Sequence, residues 1–198
     1  MKPFIIVVDL EATCWPNRRV PGPNGEGWVH PVMETIEIGA VMVRSDTLVS
    51  VAEFDSFIRP VQNPTLSDFC KLLTNIKQED VDRAKTYPEV VSDFRQWMLG
   101  DREWLRTGQE TTALDLFASW GRFDFNQLKQ DSAYHQCPFP FDNDEHLNVK
   151  NHVAEKMGWK PQGLGKALRR LNMDFKGTPH RGIDDARNIA RILQQVGL

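Results

Sequence analysis

The chain has 198 residues, 40% of them hydrophobic, with 24 Lys/Arg against 27 Asp/Glu and a formal net charge of −3. That size suits one domain spanning 1–198 with a sizeable core, and the absence of a long apolar run or a signal-peptide pattern argues against a membrane or secreted protein. Cys14, Cys70 and Cys137 are odd in number and widely spaced, which argues against a disulfide scaffold or a C-x-x-C zinc site and fits reduced thiols in a cytoplasmic protein.

In chain order, the apolar run Phe4 to Val8 predicts a buried strand over 4–10 that closes on Asp9-Leu10-Glu11. Side chains alternate faces along a strand, so Asp9 and Glu11 project to one side and can share a hard divalent cation. Spacing alone does not single them out, because Glu53/Asp55, Asp80/Asp82, Asp101/Glu103 and Asp142/Asp144 repeat it. Only Asp9/Glu11 follows a continuous hydrophobic strand, and ligands of open α/β sheets collect at the carboxyl ends of strands. Taken alone, the pair reads equally as a solvated strand end.

The stretch WPNRRVPGPNGEGWVHPV follows as a long Pro- and Gly-rich loop. It carries Trp15 and Trp28 with Arg18 and Arg19, a combination that stacks a base and pairs a phosphate or, as the plainer alternative, anchors packing. Strands are expected at 34–43 and 49–58, helical pattern at 66–99, and another apolar strand at 113–120. Gly121 breaks that strand and Asp124 opens a helix, where an Asp is also favoured as a simple cap. A Pro-rich connection at 138–142, a short strand near 146–149 and helices to the end complete the pattern.

In the last helix Ile183, Ala186, Ala190 and Leu193 form an apolar stripe, and Pro179 and Gly182 place its start near Ile183. His180 then sits on the entering loop and Asp185 in the first turn, where the helix dipole favours a carboxylate in any case. An imidazole, with an unperturbed pKa of about 6.5, can take a proton at neutral pH. Asp184 is the neighbouring competitor of Asp185 and reads as the cap of the helix. Charge is unevenly spread: residues 150–198 hold ten Lys/Arg against four Asp/Glu, leaving a net of −9 on residues 1–149. Lys160, Lys166, Arg169, Arg170, Lys176, Arg181, Arg187 and Arg191 could meet phosphates, or could simply solvate helix surfaces.

Together, the D-x-E strand end, the mid-chain Asp124 and the H-x4-D of His180 and Asp185 resemble the three motifs of the DEDDh exonucleases. The resemblance narrows to the Eri-type 3′→5′ exoribonucleases through DLEATCW at 9–15, ETIEIGAV at 34–41, FCKLLTNIKQEDVDRA at 69–84 and GLGKALRRLNMDFKGTPHRGIDDARNIARI at 163–192. It implies an α/β fold of RNase H-like type, with a central mixed sheet flanked by helices. It further implies two Mg²⁺ or Mn²⁺ ions and release of nucleoside 5′-monophosphates from RNA 3′ ends, single-stranded or overhanging. Carried over by motif, Asp9, Glu11 and Asp185 hold the metal that activates water, Asp9 bridges to a second metal supported by Asp124, and His180 accepts the proton. Ala12 and Thr13 are expected beside the 3′ nucleotide, with Thr74 bordering its pocket. Two other readings stand beside this one: the same chemistry on single-stranded DNA, and a regulatory binding module that keeps the fold but acts through a partner. With no added RNA-binding domain expected in this length, target choice falls to the nuclease domain or to a protein partner that the sequence does not name.

Overall fold

The structure, a computed structural model, describes residues 3–16, 20–21, 27–100, 116–142 and 144–198. Arg18, Arg19, the Asp101/Glu103 pair and the expected strand start at 113–115 lie outside the described residues. Five strands make one sheet in the order β5-β4-β1-β6-β7: β1 is Phe4–Ala12, β4 Thr35–Arg44, β5 Ser50–Phe57, β6 Leu116–Ser119 and β7 His146–Asn148. β1 runs antiparallel to β4 and β4 to β5, whereas β6 lies parallel to both β1 and β7. The sheet is therefore mixed, as the family resemblance implied. Two short strands, β2 (Val20–Pro21) and β3 (Trp28–Val29), pair within the segment expected to be irregular throughout.

The expected helical stretch at 66–99 is three helices: α1 (Asp68–Thr74), α2 (Gln78–Asp82) and α3 (Tyr87–Leu99). Asn75 ends α1 at φ 59, a left-handed conformation that Asn tolerates better than most residues. A reciprocal capping box between Thr86 and Glu89, with Pro in the first turn, starts α3. Beyond β6 come α4 (Phe123–Tyr134), α5 (Val149–Lys156), α6 (Leu164–Arg170) and α7 (Gly182–Val196). None of the described helices is long and apolar enough to cross a membrane.

Alternation along β1 and β4 divides the core into two layers. Ile5, Val7, Val41 and Val43 pack against α5, α6 and α7, while Ile6, Val8, Leu10, Ile38 and Ala40 pack against α3 and α4. A third cluster of Ile36, Leu66, Cys70, Ile76 and Val81 seats α1 and α2. Buried carboxylates dock the connections. Glu34 accepts the backbone N–H groups of Val61, Gln62 and Asn63 at 2.8, 2.9 and 2.6 Å, and Asp131 of α4 accepts the Thr35 N–H at 3.0 Å and its hydroxyl at 2.6 Å.

β1 continues past residue 10 because β4 runs alongside, pairing Asp9 with Gly39 and Glu11 with Glu37. The two carboxylates therefore sit within a paired strand, not past its end, and a register shift between Glu11 and Ala12 re-aims the chain just beyond them. Where α7 meets this part of the sheet, backbone touches backbone. A Cβ built on Gly39 would stand 2.0 Å from both the carbonyl carbon of Gly182 and the nitrogen of Ile183, and one on Gly182 would stand 2.9 Å from the Asp9 carbonyl oxygen. Gly39→Ala must push the first turn of α7 off the sheet. By the usual cost of overpacking, about 3 kcal/mol, its melting temperature should fall by about 6–12 °C. An unchanged melting temperature would show that the contact is not tight.

Candidate active site

A cleft of about 610 Å³ opens at the carboxyl ends of β1 and β6, between α4, α6 and α7, and its walls include Asp9, Glu11, Asp124, His180 and Asp185. All five predicted catalytic positions thus meet in one place, although they span the sequence from residue 9 to residue 185. Asp9 and Glu11 come from the face of β1 that also carries Ile5 and Val7, the face that α7 covers. Asp124 is in the first turn of α4, and its carboxylate accepts the Leu10 N–H at 3.1 Å. It is tied to the neighbouring strand and does more than cap its own helix.

Asp185 lies in the first turn of α7, which begins one residue before the expected Ile183. Its Oδ2 accepts the His180 N–H at 3.0 Å. His180 is held at φ 61, in the left-handed region that non-glycine residues seldom adopt, and is exposed to the cleft. Asp184, read as the helix cap, instead accepts the Thr178 N–H at 2.9 Å and the Arg187 guanidinium at 2.9 Å, bracing the loop that delivers His180. Donor atoms of Glu11, His180 and Asp185 lie within 4.8 Å of one another, a cluster able to hold a metal ion.

Electrostatics agree with that capacity. Burial, reinforced by Asp185, Glu37 and Asp124, pushes Glu11 up to about 9. Burial and then Asp124, Asp185, Glu11 and Glu37 raise Asp9 well above the usual carboxylate range. Burial lifts Asp124 and Asp185 each to about 6, partly offset by the Leu10 and His180 backbone N–H groups. So many carboxyl groups in one low-dielectric site share protons or bind a cation.

Glu37, which carries no motif signal of its own, lies in β4 opposite Glu11. Its side chain is fully buried, accepts Arg181 Nε at 3.2 Å and Nη2 at 3.0 Å, and accepts the Gly182 N–H at 3.1 Å. Burial raises it to about 7 against the lowering effect of Arg181. The signal that could have found it is its position in β4 directly across from Glu11. Arg169 lines the cleft, whereas Arg181, Arg187 and Arg191 are engaged with Glu37, with Glu53 and Asp184, and with Asn188 and the Asp174 carbonyl. The basic set is therefore partly internal bracing.

The three expected substrate-binding residues do not line the cleft. Ala12 is buried with its carbonyl accepting from Cys70, and Thr13 is buried with both its N–H and its hydroxyl joined to the backbone of Glu34. Thr74 is fully buried, and its hydroxyl donates to the Cys70 carbonyl and accepts the Ile76 N–H. A second cavity of about 590 Å³ lies beside the cleft across Phe123, with Cys14, Trp15, His30, Pro31, Met33, Phe69 and Leu73 around it.

Comparison with known proteins gives the same picture. Human 3′-5′ exoribonuclease 1 is 34% identical over 191 residues, covering 96% of this chain and 51% of the human protein. The chain thus spans about half the length of that relative, and only 27% of mouse ERI1 exoribonuclease 2, to which it is 30% identical over 94% of its own length. Its fold superposes on the nuclease domain of 3′hExo, a DEDDh family member bound to rAMP, with a TM-score of 0.80 at 30% identity, covering 98% of this chain and 91% of that one. A match to the exonuclease family model running from Ile6 in β1 to Leu193 in α7 takes in every element that carries a cleft carboxylate, and the chain accordingly belongs to the RNase T exonuclease family.

Proposed function

We propose that the chain is a metal-dependent 3′→5′ exoribonuclease that releases nucleoside 5′-monophosphates from RNA. The observation that carries this reading is the convergence of Glu11, His180 and Asp185 donors within 4.8 Å, in a cleft that also holds Asp9 and Asp124. The carboxylates Asp9, Glu11, Asp124 and Asp185 in that cleft suit Mg²⁺ or Mn²⁺, and the raised pKa values of Asp9 and Glu11 mark a site that gains from cation charge. Asp9, Glu11 and Asp185 would hold one ion, and Asp124 with Asp9 a second. Bound there, the ions would activate water and neutralise charge on the leaving oxygen.

The protein groups supply the rest. His180, outside the carboxylate floor and exposed to the cleft, accepts a proton from the attacking water on its imidazole. Arg169 meets a backbone phosphate, and the exposed Phe123 ring, between the two cavities, offers a stacking face to a base. The buried frame of Ala12, Thr13 and Thr74 fixes the wall behind the terminal nucleotide.

The deciding experiment uses 5′-labelled RNA and DNA of equal sequence with Mg²⁺, Mn²⁺ or chelator. RNA should shorten one nucleotide at a time, a 3′-phosphate should stop it, and chelation should abolish it. Internal cuts in circular RNA at a rate comparable to the linear strand would overturn the exonuclease reading, and equal turnover of DNA would overturn the preference for RNA.

Asp9→Asn should abolish turnover while the chelated protein melts no lower than the parent, because removing one of several repelling carboxylates relieves the cation-free site. Near-parental turnover would exclude Asp9 as a metal ligand.

The same repulsion sets a pH dependence. Glu11, Glu37, Asp124 and Asp185 are raised in the folded state, so above pH ~4 the unfolded chain releases protons that the folded chain retains. Their contribution is therefore fullest at low pH and is lost as pH rises through the folded values of about 6, 7 and 9. In chelator the melting temperature should fall from pH 5.5 to pH 9, and Mg²⁺ should restore most at the alkaline end, where its ligands are ionised. A chelated protein that gains stability over that range would contradict the raised carboxyl groups.

A further inference from the structure

Two of the three cysteines meet beside the second cavity. Cys14, two residues beyond β1, is half-buried in the cavity wall, and Cys70 is fully buried in α1. Cys14 packs against the buried cluster that contains Cys70. The segments carrying them are fixed by three more contacts. Cys70 Sγ donates to the Ala12 carbonyl at 3.6 Å, Ser67 Oγ donates to the Cys14 carbonyl at 2.5 Å, and the same Oγ accepts the Cys70 N–H at 3.0 Å. Cys137 packs in a different cluster, with Phe139 on the α3 and α4 side of the sheet.

We propose that Cys14 and Cys70 form a redox modification site, in which a hydroperoxide joins them as a reversible disulfide that fixes the wall of the second cavity. Pre-positioned thiols need no search for one another, so the intramolecular bond outcompetes capture by a free thiol. Peroxide reaches the half-exposed Cys14. The Cys14 thiol gives up its proton, the thiolate sulfur attacks a peroxide oxygen and the O–O bond breaks, and the departing hydroxide takes the released proton, giving water and a Cys14 sulfenic acid. The Cys70 sulfur then attacks the Cys14 sulfur. The S–O bond breaks, and the expelled hydroxide takes the Cys70 proton and leaves as a second water. Two thiols lose two electrons and one hydrogen peroxide gains them.

A covalent S–S bond of about 2.05 Å draws the exit of β1 onto α1. Cys14 shares the cavity wall with Phe69 and Leu73 of α1, so the linkage sets the distance between the two sides. Its effect on RNA turnover rests on the function proposed above, whereas the cross-link itself does not.

The full chain, treated with hydrogen peroxide and then alkylated, should lose two hydrogens in intact mass and show the 14–70 link by non-reducing peptide mapping. Its melting temperature should rise by about 5–10 °C, as expected for closing a long loop, and dithiothreitol should reverse both changes. Cys137→Ser should behave like the parent, and Cys14→Ser and Cys70→Ala should not cross-link. Cys14 is half-exposed, so its variant keeps the test usable if Cys70→Ala does not fold. With RNA, the oxidised protein should show a several-fold higher KM that the reductant restores. A link that needs Cys137, or a sulfinic acid on Cys14 beside a free Cys70, would overturn the site. A 14–70 link with unchanged KM would overturn its control of the cavity. A chain inactive in both states but cross-linked would leave the site standing and remove the nuclease reading.

Discussion

The close approach of Gly182 to Gly39 is the contact on which the rest of the site depends. Helices normally stand off a sheet by the thickness of two side-chain layers, and here one glycine on each side removes that thickness. The first turn of α7 drops onto β4 beside β1, and Asp185 comes within reach of Glu11. Any side chain at either position would lift the helix and with it the His180 loop. The largely apolar packing of α7 along Ile189, Ile192 and Leu193 gives the adhesion, but that adhesion alone would tolerate a different height. The glycines set the height.

What the fold brings together is unfavourable by itself. Four carboxylates and Glu37 lie in one low-dielectric region, where Asp124, Asp185 and Glu37 raise the proton affinity of Asp9 and Glu11. Hydrogen bonds offset part of this, through the Leu10 N–H to Asp124 and the His180 N–H to Asp185. Among the described residues only Glu37 has a full guanidinium partner, and Asp9, Glu11, Asp124 and Asp185 do not. Removing one partner of such a buried pair costs about 3–5 kcal/mol, so Glu37 and Arg181 must be kept together. The contrast separates the roles: a carboxylate paired with arginine is neutralised for structure, and those left without a cation of their own are available to a metal.

The sequence made the site's chemistry legible but not its mechanical support. Asp9 and Glu11 were readable because an apolar strand led into them, and His180 and Asp185 because Pro179 and Gly182 separated loop from helix. The five strands of the sheet were each anticipated, since alternation and apolar runs are local signals. Strand ends and helix breaks were less legible: β1 outlasts its own apolar run because β4 pairs with it, and 66–99 breaks at Asn75 through a left-handed turn. At Ala12, Thr13 and Thr74 the sequence shows the residues but not their packing. The hydroxyls of Thr13 and Thr74 are consumed by Glu34, Cys70 and Ile76, which depends on packing that no local pattern encodes.

Arg181 joins these levels. Sequence reasoning counted it among cations that could meet phosphate, yet its guanidinium turns inward to Glu37 and stacks over Phe57 at 5.0 Å. It follows His180 directly, so anchoring Arg181 to β4 fixes one end of the strained residue, while the Asp185 carboxylate holds the His180 N–H at 3.0 Å. A histidine at φ 61 would relax if either hold were released, at a gain of about 1–3 kcal/mol. The buried pair is thus strong enough to maintain the strain, and the strain presents the imidazole toward the carboxylates while leaving it accessible from the cleft. Charge burial in β4, backbone contact at Gly39 and the conformation of a single exposed histidine are therefore one mechanical unit.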